Sequence, residues 1–234
     1  MIERDELPLL WTGFMTTLSG VGLARFAYTA LMPQMVHAGW FSGEQVAYLG
    51  AANLLGYLIG ALVAAPLAER MGALRVLVIC WVAVMLSFAG CSLPQPMALF
   101  FVWRLISGIA GAALMVLGPS VAMAAAAPQR RATLGPLMFC GIGVGALLAA
   151  TLVPMFARSS LSAVWWALTA LSALALYSGR HAARQIPLHA PVAIQPTAVA
   201  ASSTTPWSLA VILVLVAYAC DAFGFVPHTG FWVG

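Results

Sequence analysis

Seven apolar runs of 18 or more residues occupy most of this chain, at about 9–36, 46–67, 75–93, 97–126, 134–156, 161–179 and 207–229. Each is long enough, as a helix, to cross the hydrocarbon core of a bilayer, and no other feature narrows the fold as much. The third and sixth lie near the lower limit for a crossing. Only 7% of the 234 residues are charged, against about 25% in soluble domains. The chain therefore reads as an all-α integral membrane protein.

The arginines orient the spans. Arg4, Arg70, Arg75, Arg130, Arg131, Arg180 and Arg184 fall on one side, and Arg158 falls on the other. Positive residues accumulate on the cytoplasmic face, so the N-terminus and the loop after the sixth span are expected there, in a multi-pass protein of the inner (cytoplasmic) membrane. The net charge of +4 is then a matter of orientation and does not imply nucleic-acid binding. Glu3, Asp5 and Glu6 make the start too acidic for a cleaved signal peptide, so the first helix is read as retained. Trp165, Trp166 and Tyr177 stand where interfacial anchors belong. Pro187, Pro191, Pro196 and Pro206 punctuate residues 180–206, which read as a linker. The expected division is a six-helix unit over 1–179, a linker over 180–206, and a seventh helix over 207–234. Cys80, Cys91, Cys140 and Cys220 form no CxxC or Cys/His cluster. They read as small buried hydrophobes, with no disulfide, metal or cofactor implied.

Within the first span, the stretch GVGLARFAYTALMPQM (Gly20–Met35) carries a full charge at Arg25. An arginine near the centre of a membrane helix costs about 2.5–3.5 kcal/mol on insertion scales, and such a residue normally faces a protein interior or a watery cavity. Tyr28 and Thr29, three and four positions on, share its face. Arg104, some seven residues into the fourth span, either contacts the bundle interior or snorkels to the interface. A weak echo links the two halves of the first six spans. Gly22 and Pro33 have the separation of Gly108 and Pro119, and Gly56 and Gly60 that of Gly141 and Gly145. Spans 1–3 and 4–6 are thus expected to be related units.

The loop Ala65–Arg75, read APLAERMGALR, resembles the signature between helices two and three of the major facilitator superfamily. Leu67, Ala68, Arg70 and Gly72 match it, Glu69 takes the acidic position and Arg75 a basic one; Ala65 replaces the leading glycine, and Ala73 and Leu74 weaken the basic tail. A glycine permits the tight turn, while the acid and arginines can bond neighbouring helix ends and latch one conformation. Glu69 and Arg70 are accordingly expected near Arg130 or Arg131. The run from Arg104 through Gly108 to Gly111 resembles the superfamily's helix-four pattern. The glycine-rich fifth span only loosely resembles the antiporter motif, and close packing explains its glycines. The first span, with AYACDAFGFVPHTGFW at Ala217–Trp232, is similar to the YbfB-like branch of the superfamily.

That resemblance implies a twelve-helix secondary transporter of a small solute, made of two six-helix halves around a central cavity. This chain stops at Gly234, where helix seven would exit. The expectation is an N-terminal half of two three-helix inverted repeats plus one further helix, belonging to a truncated permease that needs a missing C-terminal half or a second copy. The alternative is a non-transporting remnant or assembly subunit. A membrane enzyme would have to force His228 together with Ser107 or Ser120, and no motif supports it. Trp207 to Asp221 is fourteen residues, as is Trp11 to Arg25. Helices one and seven correspond in the resembled fold, so Arg25 and Asp221 are expected at similar depth in one cavity. Arg25, Tyr28, Arg104, Asp221 and His228 form the expected solute path, with Arg25 attracting an anionic group and Asp221 accepting a proton. The solute, coupling ion and direction are not legible.

Overall fold

The computed structural model describes residues 2–157 and 159–186, and five helical positions, Ile212, Leu213, Val216, Ala217 and Cys220. The chain divides into two units, Met1–Val192 and Ala193–Gly234. The seventh span, with Asp221 and His228, lies outside the described residues except for those five positions. Among the described residues six helices are long and apolar enough to cross a membrane, and no strand occurs.

Helix α1 joins three segments end to end: α-helical Leu7–Thr17, π-helical Leu18–Ala27 and α-helical Tyr28–His37. A 3-10 turn, Arg4–Glu6, leads into it. There follow α2 (Gly43–Met71), α3 (Ala73–Gly90), α4 (Met97–Ala125), α5 (Pro128–Ala157) and α6 (Leu161–Ala183). Local chemistry sets several of these boundaries. Ser42 and Gln45 form a reciprocal cap at the start of α2, the Gln45 N–H donating to Ser42 Oγ at 3.3 Å and the Ser42 N–H to Gln45 Oε1 at 2.9 Å. Gly72 separates α2 from α3 with φ +85°, a left-handed backbone that a side chain would oppose. The signature glycine of the Ala65–Arg75 loop thus stands where the turn requires one.

Close packing assembles the bundle. A Cβ built on Gly20 would meet the Gly111 carbonyl oxygen, joining α1 to α4; Gly22 and Gly145 face each other backbone to backbone, joining α1 to α5. Gly56 and Gly60 lie against Leu105 and Ile109, joining α2 to α4. So α5 packs on α1 through Gly141 and Gly145, as α2 packs on α4 through Gly56 and Gly60. The glycines of the echo are the contact points, and exchanging spans 1–3 with 4–6 preserves the pattern. Without a hydrophobic drive between helices in lipid, such small residues permit the dispersion contacts that hold them together. Side chains add to this. Thr17 Oγ1 donates to the Met138 carbonyl at 2.7 Å, and Trp81 Nε1 donates to Ser19 Oγ at 3.2 Å.

The ends alternate. Leu9, Ala73, Val121, Ala126, Leu134 and Ile186 form one apolar cluster, drawn from α1, α3, α4, α5 and the residues beside them. Arg70 and Arg130 therefore lie at the same end of the bundle. The cysteines divide: Cys80 and Cys91 are buried, but Cys140 and Cys220 are exposed. That corrects the reading of all four as buried. A lipid-facing position is as apolar as an interior one, so hydrophobic runs cannot distinguish the two.

Candidate functional site

The π-helical segment of α1 carries the polar features. Winding wider than an α-helix leaves carbonyls to be satisfied from outside the regular ladder, and such segments recur at functional sites. Hydroxyls add donors to carbonyls in the α-helical turn before it: Thr16 Oγ1 donates to the Gly13 carbonyl at 2.8 Å, and Ser19 Oγ donates to the Met15 carbonyl at 2.8 Å. Another donor comes from α4. Arg104 is fully buried, and its NH2 donates to the Ala24 carbonyl at 3.1 Å.

Arg104 is the centre of a three-helix junction. Its guanidinium carbon lies 4.1 Å from the centroid of the Tyr28 ring on α1, a cation–π contact worth about 2 kcal/mol when desolvated. Tyr28, 3% exposed, donates its hydroxyl to the Val46 carbonyl on α2 at 2.7 Å. Asn53 on α2 donates its amide to the Arg104 carbonyl at 3.2 Å. Of the two readings open for Arg104 from sequence, the structure places it in the interior. Its Nε and NH1 have no hydrogen-bond partner among the described residues. A buried cation left with unused donors demands an explanation, since desolvating it is expensive.

Arg25, next to Ala24 in the chain, is not among the partners of Arg104. It is half-buried and makes no hydrogen bond or ion pair with the described residues. Its guanidinium is in electrostatic reach of Tyr57 on α2. Tyr28, three residues on from Arg25, packs its ring under the Arg104 guanidinium. Sequence reasoning missed Asn53 and Tyr57. With Tyr48 they are the polar residues of an otherwise apolar second span, and that oddity was the available signal.

The expected latch residues are at the arginine-bearing end. Leu67 packs against the main core, while Glu69, Arg70 and Arg75 are exposed without an ion pair among the described residues. The ion pair seen at that end joins Glu6 to Arg130 instead, with Nε 2.5 Å from Oε1 and NH2 2.8 Å from Oε2. Both groups lie outside the apolar membrane-crossing stretches. The Arg130 hydrogen bond, helped by the Glu3 N–H, holds the Glu6 carboxyl well below the usual carboxylate range, at about 2. Ser107 is fully buried and Ser120 donates to the Val116 carbonyl at 2.6 Å.

Helix one with a broken middle, glycine-mediated crossings in symmetric pairs, and an arginine turned into the bundle form the setting for the comparison with known proteins. A family model described as uncharacterised MFS-type transporter YbfB matches residues 17–234. The chain belongs to this family. Among curated relatives of the major facilitator type, the protein named 3-(3-hydroxy-phenyl)propionate transporter of Escherichia coli is 37% identical over 127 residues, covering 52% of this chain and 30% of that protein. The glucose transport protein of Synechocystis is 31% identical over 115 residues, covering 48% and 25%. An MFS-type transporter of Macrophomina phaseolina is 37% identical over 91 residues, covering 36% and 18%. The matched part thus spans less than a third of each relative's own length. The YbfB-family chain is a multi-pass membrane protein of a transporter family.

Proposed function

We propose that this chain supplies one six-helix half of a secondary active transporter for a small solute bearing an anionic group, in the cytoplasmic membrane with its N-terminus inside. The observation that carries this reading is Arg25: a charge in the middle of a span, half-buried, on a π-helical segment, with no partner among the described residues. A cation kept at that depth without a counter-ion suits a site whose counter-ion comes and goes. Tyr57 beside it offers a phenol to the same solute. Arg104 and Tyr28 hold the π segment in place, and the unused Arg104 donors serve water or solute as the helices shift. Asp221 and His228, outside the described residues, complete the solute path, with Asp221 as the proton acceptor in a coupled cycle. Alternating access needs a second bundle to rock against; another chain segment, a partner or a second copy would supply it. Glu69, Arg70 and Arg75, around the turn at Gly72, are then the groups that bond neighbouring helix ends and latch one conformation.

The named substrate of the Escherichia coli relative is a carboxylate, and that of the Synechocystis relative is neutral. The unpaired Arg25 favours the first class. Uptake of radiolabelled 3-(3-hydroxyphenyl)propionate and of its neutral primary amide, by cells expressing the protein, tests the proposal. The expected result is carboxylate uptake in excess of amide uptake, reduced tenfold or more (a loss of about 1.4 kcal/mol or more) by Arg25→Gln. Equal uptake of acid and amide, unaffected by Arg25→Gln, would refute the anion reading.

A further inference from the structure

At the arginine-bearing end a cleft of about 420 Å³ opens between α1 and α6. Its floor is apolar, made by Leu7 and Trp11 of α1 and Tyr177 of α6; its rim is polar, made by Arg4 ahead of α1 and by His181 and Gln185 at the end of α6. No carboxylate lines it among the described residues. Three acidic groups of this end, Glu3, Asp5 and Glu6, line a neighbouring cavity around Arg130, from which Arg4 and Gln185 divide the cleft. The side chains of Arg4, His181 and Gln185 make no hydrogen bond or ion pair with the described residues. Trp11 is 45% and Tyr177 79% exposed. Trp11 lies about one helical turn below Leu7 and two below Arg4, and Tyr177 one turn below His181, at the depth where aromatic side chains meet the headgroup boundary.

We propose that this cleft binds a phospholipid with an anionic headgroup. The phosphate and its anionic substituent sit among Arg4, His181 and Gln185, and the first part of an acyl chain lies on Trp11, Tyr177 and Leu7. Apolar floor and cationic rim follow one another along the membrane normal, in the order in which a lipid presents tail and head. A zwitterionic headgroup would bring its own cation against Arg4, which selects against it. A free phosphate would use the rim and leave the floor idle. Basic pockets between transmembrane helices are the expected receptors of such headgroups.

Trp11 is a built-in reporter. The 234-residue chain is placed in phosphatidylcholine nanodiscs containing a minor fraction of brominated phosphatidylglycerol or brominated phosphatidylcholine. The Trp11 signal is the difference between wild-type fluorescence and that of Trp11→Phe. Brominated phosphatidylglycerol is expected to quench it at about one-fifth or less of the mole fraction that brominated phosphatidylcholine requires, the preference one juxtamembrane basic residue confers. Arg4→Gln with His181→Gln should abolish the preference. Arg70→Gln with Arg75→Gln, exposed at the same end but outside the cleft, should leave it intact. Equal quenching by both lipids in the wild type overturns the site. So does a loss of preference in the Arg70/Arg75 variant as large as in the Arg4/His181 variant, which would mean general surface charge. Relief of the quenching by millimolar glycerol 3-phosphate would assign the rim to a soluble anion and also overturn it.

Discussion

Replacing Gly145 by leucine should separate α1 from α5, whereas the same change at Gly143, two residues away, should be tolerated. A Cβ at Gly145 would lie 2.5 Å from the Gly22 Cα and 2.8 Å from the Gly22 carbonyl carbon; at Gly143 nothing lies within 4 Å. Carbon–carbon contacts are comfortable at about 3.5–4.0 Å, so the Cβ alone asks the backbones to part by about 1 Å. The three further carbons of leucine have no room there. Overpacking costs about 1–3 kcal/mol and occasionally more; with a backbone as the obstacle, about 3 kcal/mol or above is expected. The helix-propensity gain from glycine to leucine is the same at both positions and cancels in the comparison. At about 2–4 °C per kcal/mol for a protein of this size, Gly145→Leu should melt roughly 6–12 °C below Gly143→Leu. With Cys140 and Cys220 replaced by serine, thermal maleimide labelling reads this directly, because Cys80 and Cys91 are buried and react on unfolding. Equal melting of the two variants would refute the α1–α5 packing.

Arg104→Met should raise the melting temperature, by an amount equivalent to about 1–3 kcal/mol, and abolish uptake. The apolar replacement removes a buried cation whose Nε and NH1 are unpartnered, which outweighs the lost bond to the Ala24 carbonyl together with the lost cation–π contact on Tyr28; a lower melting temperature in the same labelling assay would contradict the burial cost. For Glu6, the carboxyl is lowered from 4.5 to about 2 in the folded protein. The ion pair's contribution is therefore fully present above about pH 4.5 and is lost as pH falls toward about 2. Glu6→Gln should melt lower than wild type at pH 6, with the gap closing between pH 4.5 and 2; a gap that stays constant over that range would sink the assignment.

Much of the bundle was legible because lipid imposes a strong rule: every span must be helical and long enough to cross. The six described helices fall where the apolar runs do, and Gly22, Gly56, Gly60, Gly108, Gly141 and Gly145 proved to be contact points because close approach in lipid needs small residues. Burial was far less legible. Arg104 is sealed while Arg25 is half-open, although both are single arginines in apolar spans. The π segment Leu18–Ala27 interrupts the 3.6-residue spacing from which shared faces are read, and the Tyr28 ring packs against the guanidinium of Arg104 on another helix. Arg104 also depends on a carbonyl 80 residues earlier in the chain, and a backbone acceptor leaves no mark on residue type. Glu6–Arg130 was hidden for a different reason. The signature loop drew attention to Glu69 and Arg70, but the short polar turn before α1 is what reaches α5.

The central claim is that Arg25 lies on a water-accessible path through the membrane. In a background with Cys80, Cys91, Cys140 and Cys220 replaced by serine, single cysteines at Arg25→Cys, at Tyr57→Cys and at Leu174→Cys can be exposed to a charged, membrane-impermeant methanethiosulfonate. Leu174 is 65% exposed on α6 and serves as the lipid-facing control. Only a hydrated thiol ionises and reacts. The account predicts rapid modification at positions 25 and 57 and little at 174; modification at 25 and 57 as slow as at 174 would contradict it.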